Sequence, residues 1–97
     1  MPTYVVLSRF TEKGIANIKQ GPSRIEALKK EFRSKGAKLR DFYLLLGQYD
    51  TLLIFDAPDE KTAAKLMLAI GAAGNVRTET MGAFTEAEYK KLVVGLS

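Results

Sequence analysis

The stretch LRDFYLLLGQYDTLLIFDA, Leu39 to Ala57, decides the fold. Two runs of branched and aromatic residues, Leu39–Leu46 and Thr51–Ala57, flank the break Gly47-Gln48-Tyr49-Asp50. Such runs read as strands, and a short break containing glycine joins them as a hairpin. In the first strand Phe42, Leu44 and Leu46 share one parity, and Tyr43 and Leu45 the other. In the second, Leu53 and Phe55 oppose Leu52 and Ile54. A sheet with one face in water carries apolar residues on one parity only. Both parities are apolar here, so both faces of the hairpin are expected to be covered.

Working outward, Thr3–Phe10 reads as the preceding strand, with Tyr4, Val6 and Phe10 opposing Val5 and Leu7. Thr11-Glu12-Lys13-Gly14 ends it, and a short helical turn carries Ile15 and Ile18. Gly21-Pro22-Ser23 opens the first main helix, where Ser23 and Glu26 have capping-box spacing. Ile25, Leu28 and Phe32 recur at helical spacing, and Gly36 is the expected stop. Asp59 is the expected N-cap of a second main helix with Ala63, Leu66, Met67 and Ile70 inward. Val76–Phe84 is the last strand. Thr85-Glu86-Ala87-Glu88 is a capping box opening a tail helix, with Tyr89, Leu92 and Val93 expected inward.

The order is strand, helix, strand, strand, helix, strand. Right-handed crossovers turn it into an α+β, ferredoxin-like βαββαβ sandwich over a single domain, residues 1–97. The expected sheet is four-stranded and antiparallel, ordered 4-1-3-2, with both main helices on one face. The other face then needs a cover that the tail helix is too short to supply. A homodimer or higher oligomer, packing sheet on sheet, is the economical solution, with Val93, Val94 and Leu96 lapping onto the partner.

Composition removes several chemistries. The 97 residues include no cysteine and no histidine. There is thus no disulfide, no thiolate nucleophile, no imidazole base and no zinc or haem ligand of the usual kind. No carboxylate cluster has calcium-loop spacing. No metal and no cofactor are expected. Nothing approaches about 20 consecutive apolar residues, and the N-terminus lacks a signal-peptide pattern, so a cytoplasmic location without membrane contact is expected. The net charge is +4, and seven basic residues lie between Arg24 and Arg40. Glu26 and Glu31 interrupt them, which suits a solvated helix face better than a nucleic-acid stripe.

The topology gathers polar residues at one end of the sheet: Arg9, Lys13, Tyr49, Asp50, Asn75 and Arg77. Two readings compete. In one, Gly47 permits the turn, Tyr49 packs at the sheet end, and Asp50 caps the turn or pairs with Arg9. In the other, Tyr49 donates a hydrogen bond and Asp50 is an acceptor or weak base beside Arg9 and Arg77, facing a small anionic or carbonyl-bearing ligand. Glu79 is solvated or pairs with a basic neighbour such as Arg77. The small-residue run Ile70–Asn75 reads as close packing; it lacks the ending of a P-loop.

Four segments, GQYD (47–50), FTEKGIANIKQGPSR (10–24), DAPDEKTA (56–63) and GNVRTETMGAFT (74–85), together resemble the GYD domain family. The resemblance covers nearly the whole chain. It implies a dimeric α+β barrel, in which ferredoxin-like subunits pair through their sheets, and marks Gly47, Tyr49 and Asp50 as the positions to watch. It supplies no activity. The leading expectation is an oligomeric module binding a small, anionic molecule. The alternative is a cofactor-independent enzyme, isomerase- or monooxygenase-like, using Asp50, Tyr49 and Arg9. Nucleic-acid binding ranks third, because the third strand offers Thr51, Leu53 and Phe55 rather than a platform of stacking aromatics.

Overall fold

A central strand, β1 (Thr3–Phe10), is hydrogen-bonded on one side to β3 (Thr51–Asp56) and on the other to β4 (Val76–Ala83). The strand β2 (Lys38–Leu44) completes the sheet beyond β3. The order is β2-β3-β1-β4, all antiparallel, which is 4-1-3-2 read from the opposite edge. The helices are α1 (Glu12–Ala16), α2 (Gly21–Ser34), α3 (Glu60–Ala73) and α4 (Glu86–Val94). A 3-10 turn, Ile18–Gln20, leads into α2. The computed structural model describes residues 1–96. None of the helices among them is long and apolar enough to cross a membrane.

Register fixes the two faces. Tyr4 opposes Phe55, Val6 opposes Leu53, and Ser8 opposes Thr51. These residues share one face and are buried. Phe32 of α2 and Ala63 and Leu66 of α3 pack against them. The Phe55 ring stacks on Tyr4 and meets Phe32 edge-on, both at 5.1 Å between centroids. Offset and edge-on contacts suit the quadrupoles of the rings. On the other face Val5, Leu7, Leu52 and Ile54 are only half-buried. Tyr43 and Met81 beside them are exposed.

Local chemistry accounts for most boundaries. Asp59 accepts the Thr62 N–H at the start of α3. Thr85 and Glu88 form a reciprocal capping box at the start of α4. Gly36 adopts φ +76° directly after α2, a conformation in which a Cβ would be strained. Gly14 is buried for a different reason: a Cβ there would collide with the Asn75 carbonyl. Only glycine lets α1 lie against the start of β4.

Three expectations need correction. Ser23 does not cap α2: the helix starts at Gly21, its N-cap is Gln20, and no side chain caps it. The 3-10 turn already delivers the backbone in helical geometry, so Ser23 falls within the first turn. Secondly, β2 ends at Leu44, and Leu46 is 99% exposed. The ladder to β3 closes at Leu44–Thr51, leaving Leu46 in the turn. Thirdly, Tyr89, Leu92 and Val93 are not inward: they are 61%, 54% and 46% exposed. The capping box sets where α4 begins, but β4 is an edge strand and every residue of α4 remains exposed.

Candidate functional site

The Gly47–Asp50 hairpin is fastened to β1 rather than merely turning. Gly47 takes φ +154°, in the region that favours glycine. Asp50 then makes three hydrogen bonds. Its N–H donates to the Ser8 carbonyl (2.8 Å), and its carbonyl accepts the Leu45 N–H (2.8 Å). Its carboxylate accepts the Phe10 N–H (2.9 Å), taking the place of a neighbouring strand's carbonyl. The polar group thus extends the ladder one step beyond the last backbone pair of β1 and β3.

Tyr49 leans the other way, across β1. The Arg9 guanidinium lies over its ring, 4.5 Å from the centroid, a cation–π contact. Arg9 Nε also donates to the Gln48 carbonyl at 3.0 Å. The Tyr49 hydroxyl donates to Glu79 Oε2 at 2.8 Å. Glu79 opposes Leu7 in register, and Arg77 opposes Arg9. Arg9, Tyr49, Arg77 and Glu79 therefore cluster on the helix-free face of the sheet, with both arginines exposed. By accepting a hydrogen bond from the phenol, Glu79 raises the Tyr49 pKa above its ordinary 10.0; lost hydration and the charge of Glu79 act in the same sense, while Arg9 opposes them. The phenol stays protonated at neutral pH.

The six residues singled out from the sequence separate into distinct groups. Arg9, Tyr49 and Arg77 meet on the open face. Asp50 turns inward to the Phe10 N–H, and among the described residues no Asp50–Arg9 ion pair forms. Lys13 Nζ donates to the Ala73 carbonyl at 2.7 Å, at the C-terminal end of α3 where a cation is favoured. The Asn75 carbonyl accepts the Thr11 N–H at 3.1 Å. Asn75 itself borders a cleft on the helix-covered side of the sheet, whose volume is about 720 Å³. Sequence reasoning missed two features. Glu79 pairs with Tyr49 rather than with Arg77, a contact that depends on how the β2–β3 turn sits over β1 and β4 together. The cleft depends on the spacing of α2 and α3, and no sequence pattern signals it.

The family model of the GYD domain matches residues 4–93. A protein of Thermus thermophilus, called a glutamine synthetase and cystathionine beta-lyase binding protein, is 35% identical over 89 residues, spanning 91% of this chain and 94% of its own. Among solved structures, a leucine response regulatory protein of Mycobacterium tuberculosis superposes with TM-score 0.65 at 15% identity. The alignment covers 87% of this chain and 51% of that regulator, so the present chain spans about half its length. A solved Thermus thermophilus structure gives TM-score 0.56 at 24% identity, covering 88% of this chain and 95% of the other. At these identities the structural likenesses speak for the fold alone. With a signature turn built from Gly47, Tyr49 and Asp50 and a family match from strand β1 to helix α4, the chain belongs to the GYD domain family.

Proposed function

We propose that the protein is a non-catalytic binding module that pairs with a second copy through its helix-free sheet face and docks on an enzyme of amino-acid metabolism. The observation that carries the pairing is the apolar open face, where Val5, Leu7, Leu52, Ile54, Tyr43 and Met81 lie together without cover from the described residues of their own chain. Apolar patches of this kind mark interfaces. The exposed apolar residues of α4, Tyr89, Leu92 and Val93, supply a second contact surface. The Thermus relative's name supports glutamine synthetase as the first enzyme to test. A cytoplasmic setting follows from that choice of partner.

The hydrogen bonding favours binding over catalysis. Asp50 already serves the Phe10 N–H, and the Tyr49 proton is committed to Glu79. Both contacts fix the turn against the sheet, which is what a binding surface asks of them. A second reading rests on Arg9 and Arg77. They are register partners with exposed guanidinium groups, and such like charges repel unless something neutralises them. A small anion bound between the arginines would do so.

Sedimentation of the purified protein with the glutamine synthetase of the same organism tests the primary reading. Co-migration at micromolar concentration, lost in a variant truncated before Glu86, is the expected result. Separate migration of the two proteins removes the partner. A monodisperse monomer in the protein alone removes the pairing.

A further inference from the structure

The helix-covered face is not filled along its whole length. At the end holding Tyr4, Phe55, Phe32 and Leu66 it is packed solid. Toward Ser8, Phe10 and Thr51 a cleft of about 720 Å³ opens between the sheet and the helices α2 and α3. Protein interiors seldom leave voids larger than a water molecule. The volume falls within the range of small-molecule sites. Ile25 and Leu28 of α2, Ile70 of α3, and Leu53 and Phe42 of the sheet make its walls apolar.

At the floor lie Ser8 and Thr51, each 5% exposed and hydrogen-bonded to one another through their hydroxyls. Two hydroxyls carry two protons. Their mutual bond uses one. Among the described residues neither side chain makes a second hydrogen bond, so one proton in this buried pair lacks an acceptor. An unmatched donor in apolar surroundings is costly, and an oxygen brought in by a ligand would relieve it.

Hydrogen bonding argues against a helix such as α4 of a second copy as the occupant. The carbonyls along a helix run parallel to its axis and are engaged in its own hydrogen bonds, so the helix offers its side chains, and not a free backbone oxygen, to the waiting hydroxyl.

We infer that this cleft binds a small amphiphile whose hydrocarbon or aromatic body lies between α2, α3 and the sheet and whose carbonyl or carboxylate oxygen accepts a hydrogen bond from the Ser8–Thr51 pair. The cleft is on the opposite side of the sheet from the face proposed for pairing, so the two readings fail separately.

Laurate and methyl laurate, kept below their aggregation concentrations, are the probes for a titration followed by methyl NMR. Saturable shifts are expected at Ile25, Leu53 and Ile70, with Leu7, Leu52 and Ile54 on the other face unmoved. The pair Ser8→Ala and Thr51→Val should weaken laurate binding about tenfold, equivalent to about 1.4 kcal/mol. Ile18→Trp is a second variant that spares the core: Ile18 borders the cleft and is 40% exposed, and a bulky ring there should block both probes. Tighter binding of laurate than of its ester identifies a carboxylate ligand, and equal binding identifies a neutral carbonyl; either supports the site. No saturable shift, shifts confined to the open face, undiminished binding in both variants, or cleft signals that change only with protein concentration would overturn it.

Discussion

The two faces of the sheet are made by the same strands, and alternate residues of one sequence supply them. On one face Tyr4, Val6, Leu53 and Phe55 are at most 8% exposed. On the other, Val5, Leu7, Leu52 and Ile54 are no less apolar but remain half-open. The difference lies in what the chain provides to each. Phe32, Ala63 and Leu66 close the first face, and no helix among the described residues closes the second. Side-chain chemistry alone does not decide which residues make the core; the connections between strands decide which face receives the helices. The unfinished face also carries the Arg9–Tyr49–Glu79 cluster, so the polar groups of the signature turn stand at the margin of an apolar surface.

The sharpest way to break this contrast is to empty each face in turn. Phe55→Ala should destabilise the fold by about 3–5 kcal/mol in denaturant unfolding, because it removes a ring buried between Tyr4 and Phe32. Ile54→Asp, the next residue but on the opposite face, should leave the isolated subunit folded. It should instead lower self-association at least tenfold by light scattering, since a carboxylate at a sheet-to-sheet contact is desolvated without a partner. Equal unfolding by both variants would make the faces equivalent and end the comparison.

A smaller effect sharpens it. Glu79→Gln should bring the titration of Tyr49 back toward the ordinary phenol value of 10.0, read by ultraviolet difference absorbance. The sign follows from the raised pKa of the folded state. The contribution of the contact is fully present below the unfolded phenol's pKa and is lost as pH rises through the folded value. Stability near neutral pH should therefore be indifferent to the ionisation of Tyr49. If the open face is covered by a partner, dilution should also lower that pKa, by returning water to the phenol.

Much of the architecture is legible in the sequence because it rests on local signals. The continuous apolar run Leu52–Phe55, the glycine break at Gly47, and the caps at Asp59 and Thr85 each constrain a few neighbouring residues. The docking of α4 is not legible, because its helical pattern sets which residues share a stripe but not what that stripe meets. The Tyr49–Glu79 bond is harder still: it reaches from the β2–β3 turn over β1 to β4, and emerges only when the register of three strands is known. Asp50 is visible as a candidate by its chemistry, yet its backbone partner depends on how the hairpin sits against Phe10.

Surface turns are ordinarily where a chain tolerates inserted residues, since little depends on their shape. The Gly47–Asp50 turn is an exception of practical weight. Asp50 is tied through both its backbone and its side chain to β1 and to Leu45, while Tyr49 is strapped to a third strand. An epitope or fluorophore threaded into this tip would cut those ties at once. The exposed Lys35–Gly36 corner, whose backbone N–H groups reach only back to Phe32 and Arg33 of α2, is the place for such a label.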